Sequence, residues 1–565
     1  MKPVIYQLIP RLFTNYCEDP VRDGTIMRNG SGKLNDITPV ILDEIKKLGC
    51  THVWYTGVIE HAHDADYTIY GIPRHNPHII KGHAGSPYAI TDYYDIDPDL
   101  AVDVPDRIGE FKSLVDRTHK AGLKVIIDFV PNHVGRQYAS DAKPDGIEDL
   151  GASDDSEMFF SPSNNFFYIT RQQFAPKGVD LGQGEDAYVE FPARASGNDC
   201  YTAFPGVFDW YDTVKLNYGI DPWNGNRCFN HIPDTWHKMV HILQYWAAMG
   251  VDGFRCDMAH MVPIEFWNWA IMQVKARHPH VVFIAEIYDI NLYRPYIFDG
   301  KFDYLYDKVN LYDTLVGIEC HGVSAASITS CWQTVEGIAP NMLNFLENHD
   351  EVRYASRFFG KRPENILPLL VVSAMISTGP MMIYAGQELG EAATDIEGYS
   401  GDNGRTTIFD YWSLKSLRGW LNNGKCDGAH LSARQCRLRD TYSRILNLCN
   451  REKAISEGKF FDLMYVNYHT ATFNPHKNYA FIRSVPGQTL IIIANFSDTD
   501  SEIEVNIPQH AFDYLEIDPG KYRMTELISG KRKDMVVSPD VKFASRVPGH
   551  SAVVWKMRDK TAGTR

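Results

Sequence analysis

Apolar residues follow two alternating rhythms along most of the chain. Short, nearly continuous apolar runs occur at 4–10 (VIYQLIP), 51–57 (THVWYTG), 124–130 (KVIIDFV), 251–257 (VDGFRCD), 280–286 (HVVFIAE), 302–307 (FDYLYD), 342–347 (MLNFLE) and 381–386 (MMIYAG). Strands buried on both faces read this way. Between the runs, apolar positions recur at three- and four-residue steps. Ile264, Trp267, Ile271 and Val274 predict a helix over 263–277, opened by Pro263 and stopped before Pro279. Ile108, Phe111, Leu114 and Val115 predict another over about 105–121, capped by Gly122. Eight strands alternating with helices predict an α/β fold, a (β/α)8 TIM barrel.

Two stretches depart from that rhythm. Residues 134–214, after the third strand, are rich in aromatic, Asp and Gly residues and too long for a loop, so a small inserted domain is expected. From about 455 the helical pattern stops, and runs at 479–485, 489–496, 502–507 and 551–557 predict an antiparallel β-domain. The expected division is a barrel built from 1–133 and 215–454, an insertion at 134–214 and a β-sandwich domain at 455–565.

Composition narrows the partners. The chain has 565 residues, a net charge of −15 and 12% aromatic residues, which excludes disorder and leaves a large core. No run of eighteen apolar residues is present, so no membrane span is expected. The acidic balance argues against a nucleic-acid backbone or an anionic membrane surface as partner. The ten cysteines show no CxxC spacing and read as reduced thiols, and the start MKPVIYQLIPRLF lacks a leader pattern. A cytoplasmic location and a neutral substrate are expected.

In a parallel barrel, catalytic side chains come from the C-terminal strand ends. The third strand ends in Asp128, followed by Asn132 and His133; the fourth in Arg255-Cys256-Asp257; the fifth in Glu286; the seventh in Glu347-Asn348-His349-Asp350. Arg255 and Asp257, two apart on a strand, point to one face, the barrel interior. The guanidinium is expected to hold Asp257 ionised as a nucleophile, while Glu286, with no basic neighbour in sequence, stays protonated as a general acid. Such a pair is what glycosidic bond cleavage requires. The blander reading, ion pairs plugging a barrel end, would suit one Asp–Arg pair better than four carboxylates at four strand ends.

DFVPNH, GFRCD, the AE of FIAEIYD and ENHD together resemble, in order, the four signature regions of the α-amylase family, glycoside hydrolase family 13. The resemblance implies domains A, B and C over nearly the whole chain. It implies α-1,4-linked glucans as substrate, Asp257 as nucleophile, Glu286 as acid/base and Asp350 as the carboxylate that distorts the sugar. Arg255, His133 and His349 match supporting hydrogen-bonders, Asp128 the residue steadying them, Tyr88 the aromatic under the sugar ring, and Asp402 and Arg405 a further glucose-contacting pair. Two departures stand out: His260-Met261 occupy the place of a common Lys-His pair, and VKLN at 214–217 is closer to neopullulanases and cyclomaltodextrinases than to ordinary α-amylases. A neopullulanase-type hydrolase or a glucan transferase is therefore the alternative, and a non-catalytic sugar-binding homologue a weaker one.

The family's calcium positions also differ. Of the ligands the resemblance implies, only Asn132 is present; Lys33 (in GSGKL) and Lys215 stand where Asp ligands are expected. An ammonium has no lone pair to offer. No cofactor is expected, with calcium disfavoured and Lys215 donating to Asn132 instead. His61, His63, His75, His78 and His83 crowd the loop after the second strand, read as shaping the cleft rather than holding zinc. Of the aromatics Phe159, Phe160, Phe166, Phe167, Tyr168, Phe174, Trp210 and Tyr211, most are expected to form the inserted domain's own core and one or two to face substrate.

Overall fold

The computed structural model describes residues 2–394 and 398–557. Eight parallel strands close into a barrel: β1 (Val4–Leu8), β2 (His52–Tyr55), β3 (Lys124–Phe129), β4 (Gly253–Cys256), β5 (Val282–Ala285), β6 (Tyr304–Tyr306), β7 (Met342–Phe345) and β8 (Met381–Tyr384). Each is one of the apolar runs, trimmed at its ends. The trimmed residues matter most, because the chain leaves the ladder there and turns polar side chains into the mouth. The predicted helices span Arg107–Lys120 and Ile264–Arg277, and Gly122 adopts φ +74°, the left-handed step after a helix end that a side chain would disfavour.

Before β3, a hairpin pairs Ile59–His61 with Ile90–Ile96. The insertion is tied to the barrel by a short antiparallel ladder, His133–Gly135 against Thr213–Lys215, with His133 opposite Lys215. It has a small core of its own that includes Ile169, Phe174, Tyr188 and Tyr211. Phe166 and Tyr168 instead join the main core.

The C-terminal domain is a six-stranded antiparallel sheet beside a two-stranded one, Ser501–Val505 with Phe543–Val547. One expectation fails here: the helical pattern does not stop at 455, since Gln509–Leu515 is a helix that buries Ala511, Phe512 and Leu515. Arg483 of this domain is 2% exposed. Its guanidinium donates to the carbonyls of Ile376 (3.2 Å), Ala454 (3.1 Å), Ile455 (3.2 Å) and Gly458 (2.7 Å), around the chain's passage from barrel to sheet.

Candidate active site

Arg255 organises the barrel mouth. Its register on β4 sets it opposite Asp128 on β3 and Ile284 on β5. It is fully buried, with the guanidinium over the rings of Trp54, Tyr88 and Tyr306 at 5.4, 5.3 and 5.7 Å. Nη1 donates to Asp257 Oδ1 at 2.9 Å and to Asp128 Oδ1 at 3.3 Å, while Nη2 lies 2.8 Å from Glu286 Oε2. Asp128 is oriented in turn by Trp54 Nε1 (3.0 Å) and the Gly57 amide (3.3 Å).

This geometry corrects the expected division of charge. Glu286 does have a basic neighbour, the same guanidinium that serves Asp257. Nor does Arg255 hold Asp257 low: burial pushes the Asp257 carboxyl well above the usual carboxylate range, outweighing Arg255, with Glu286, Asp350 and Asp128 adding like-charge repulsion. Burial raises Asp128 as well.

Glu286 is held at both oxygens. Met258 adopts φ +42° directly after Asp257, and its amide donates to Glu286 Oε2 at 2.8 Å. Tyr288 Oη donates to Oε1 at 2.5 Å. No motif pointed to Tyr288; it emerges from the two-residue step along the chain after β5.

Across the mouth, His349 bonds Gln7 Nε2 (2.7 Å) and Tyr88 Oη (2.5 Å), stacks on the Tyr88 ring and lies 3.0 Å from Asp350 Oδ2. Burial works against ionisation of Asp350, yet the charges of His349, Arg255 and Arg405 hold it down at about 2. Its side chain keeps 41% of its surface open, facing the cleft.

The cleft encloses about 350 Å³, with Tyr88, His133, Asp257, Glu286, Tyr288 and Asp350 among its walls. Domain B contributes Trp210, packed on the His133 ring at 5.1 Å. Burial, then Lys215 and Lys81, push His133 down to about 3, so it is a neutral hydrogen-bonder. Lys81, paired with Asp212 at 2.7 Å, also lines the cleft without having been singled out in sequence. His260 sits half-buried beside the Tyr288 ring (6.2 Å), its Nδ1 3.5 Å from the Glu286 carbonyl. Asp402 lies at the surface, paired with Arg357 at 2.8 Å, and exposed Arg405 approaches the cluster as a charge on Asp350.

Lys215 is buried and donates to Asn132 Oδ1, to Asp199 Oδ1 (2.6 Å) and to the Met261 carbonyl (3.3 Å). Lys33 donates to the Asp99 carbonyl at 2.6 Å. Of the histidines, His61 lies between Asp97 (2.9 Å) and Arg11 (3.1 Å), His63 and His75 are buried against each other, and His83 pairs with Asp64.

A sequence profile of the alpha amylase catalytic domain matches residues 7–177 and 228–408, more than half of the chain. The chain belongs to the alpha-amylase family. Within that family it is 24% identical over 522 residues to neopullulanase 2 of Thermoactinomyces vulgaris, covering 90% of this chain and 71% of that protein. It is 23% identical over 405 residues to the maltogenic alpha-amylase of Bacillus acidopullulyticus, covering 68% of this chain but 56% of that one. Among solved structures, a maltogenic alpha-amylase from Thermotoga neapolitana shares the fold with a TM-score of 0.63 at 18% identity, over 99% of both chains.

Proposed function

We propose that this glycoside hydrolase cleaves α-1,4-glucosidic bonds of starch- or glycogen-type glucans and maltooligosaccharides with retention of configuration. The observation that carries the reading is that Arg255 reaches Asp257 and Glu286 with the two ends of one guanidinium. Carboxyls bridged this way suit the separation of about 5–5.5 Å of a double displacement better than the wider gap that must admit water for inversion. Asp257 attacks the anomeric carbon as Glu286, the general acid, delivers a proton to the leaving oxygen. Glu286 then takes a proton from water, which displaces the sugar from Asp257. Asp350, held ionised and open to the cleft, grips sugar hydroxyls, and Tyr88 offers its ring face.

The chemistry needs only carboxyls and protons, and calcium is not required in this reading. Support comes from Lys215, which joins barrel and domain B with its own charge. Ten free thiols support a reducing compartment, the cytoplasm; among the described residues no helix is long and apolar enough to cross a membrane.

A second reading, a neopullulanase- or cyclomaltodextrinase-type enzyme or a transglycosylase, is favoured by VKLN at 214–217 and His260. Proton NMR of early products tests the main reading: α-anomer is expected first, and β-anomer would overturn it. Product profiles on starch, pullulan, cyclodextrins and maltoheptaose, with and without an added acceptor sugar, separate the two.

A further inference from the structure

Outside the cleft, the hairpin before β3 carries acidic side chains that the chemistry does not use. Glu60 and Asp92 are cross-strand partners on it, and Asp95 follows on the same strand as Asp92. Asp141 reaches over from the start of domain B. One carboxylate oxygen from each of Glu60, Asp95 and Asp141 lies within 4.8 Å of the others. Asp92 fixes this arrangement: it accepts from Ser140 Oγ (2.6 Å), the Ala142 amide (2.9 Å) and the Tyr94 amide (2.8 Å), so Asp141 sits between two residues bonded to the hairpin.

Glu60 is the unusual member. It is 1% exposed; Oε1 accepts from Thr91 Oγ1 at 3.1 Å, while Oε2 has no hydrogen-bond partner among the described residues. A buried oxygen left so is costly. Arg107 is the cationic neighbour, but it is committed to Asp95 through Nε (2.9 Å) and Nη2 and lies 3.9 Å from Asp141. One guanidinium against this many carboxyls leaves the pocket negative. Burial, then Asp92, Asp95 and Asp141, push Glu60 up to about 9, and burial pushes Asp92 up to about 6.

We propose that Glu60, Asp95 and Asp141 bind one divalent cation of the calcium or magnesium class at the seam between the hairpin and domain B. The donors are all carboxylate oxygens, which hard cations prefer, and no nitrogen or sulfur contributes. Asp141, with 31% of its side chain exposed, gives an entry path and room for waters to complete the shell. The neighbouring group His63, Asp97 and Asp99 is the poorer candidate, because His61 already pairs with Asp97 at 2.9 Å and the charge of Lys33 already faces Asp99. The cation would fasten domain B, whose Trp210 walls the cleft, without touching the carboxyls that do the chemistry.

Calorimetric titration of the chelator-stripped full chain with calcium chloride, and separately with magnesium chloride, tests this at pH 7.5. One site is expected with at least one of the salts. The same salt should raise the melting temperature by a few degrees. Glu60→Gln, which keeps the side chain's size but removes its charge, and Asp141→Asn should each abolish the binding heat and the shift while maltoheptaose hydrolysis stays within about two-fold of the parent. Silence of the parent toward both salts, or binding that persists in Glu60→Gln, would overturn the proposal.

Discussion

The phenol of Tyr288 donates to Glu286 Oε1 at 2.5 Å, from two residues further along the same chain. With the Met258 amide on the other oxygen, it fixes the plane of the carboxyl that must meet the leaving oxygen. Tyr288→Phe should lower kcat/KM on maltoheptaose about 10- to 100-fold, the scale of one hydrogen bond to a charged group. On an activated aryl maltoside, whose leaving group needs little protonation, the loss should be several-fold smaller. Equal losses on both substrates would show that Tyr288 shapes binding rather than the acid.

Asp257 weakens the fold that carries it. Its native pKa is raised by burial and by neighbouring carboxyls, above the unfolded value of about 3.9. A raised carboxyl favours the native state below the unfolded value, and that contribution is lost as pH climbs through the folded one. Asp257→Asn should therefore match the parent's melting temperature near pH 4 and exceed it by a few degrees at neutral and alkaline pH, while turnover disappears. Melting curves of both proteins across about pH 4–9 check this; a stability gap that shrinks with rising pH would contradict the sign.

Lys215 joins Asn132 of the barrel to Asp199 of domain B. Exhaustive chelation should leave kcat within about two-fold of its starting value, since no step runs through a metal. Lys215→Met should cost about 1–3 kcal/mol of stability, because Asn132 Oδ1 loses its buried donor. Chelation that abolishes turnover, with recovery on adding calcium, would contradict this reading.

His260 stands beside Tyr288 at the rim, and its ring meets Glu286 at the backbone carbonyl, not at the carboxyl. His260→Ala should alter the ratio of transfer to hydrolysis products from maltoheptaose with added maltose as acceptor. Release of an activated leaving group should change by less than about three-fold, because the ring does not touch the reacting carboxyls. Chromatography of the products decides, and an unchanged ratio would reduce His260 to a packing residue.

Periodicity revealed the barrel because every strand is an apolar run whose polar tail marks its functional end. Strand limits were over-read, as at 302–307 against Tyr304–Tyr306, since an apolar run continues past the point where the ladder stops. The helix Gln509–Leu515 escaped because it is barely two turns long and set among strands. Asp128, Asp257, Glu286 and Asp350 were legible as strand-end carboxyls. The sharing of Arg255 between Asp257 and Glu286 was not. It depends on the register between β4 and β5, which places Ile284 beside Arg255 and which no pattern within either strand encodes. Tyr288, Lys81 and Glu60 carry no local signature either, and their significance lies in what the folded chain sets opposite them.

Arg483 has a consequence for how the molecule comes apart. Its guanidinium caps carbonyls at Ile376, Ala454, Ile455 and Gly458, where the barrel's last helices give way to the sheet. Pulling the C-terminal sheet away would take the shared donor from all of these acceptors at once. The change of pattern near 455 is thus a border in the sequence but not in the unfolding reaction. Barrel and sheet are expected to melt in one cooperative transition, and a chain cut after the barrel would be left with an open polar wound at its base.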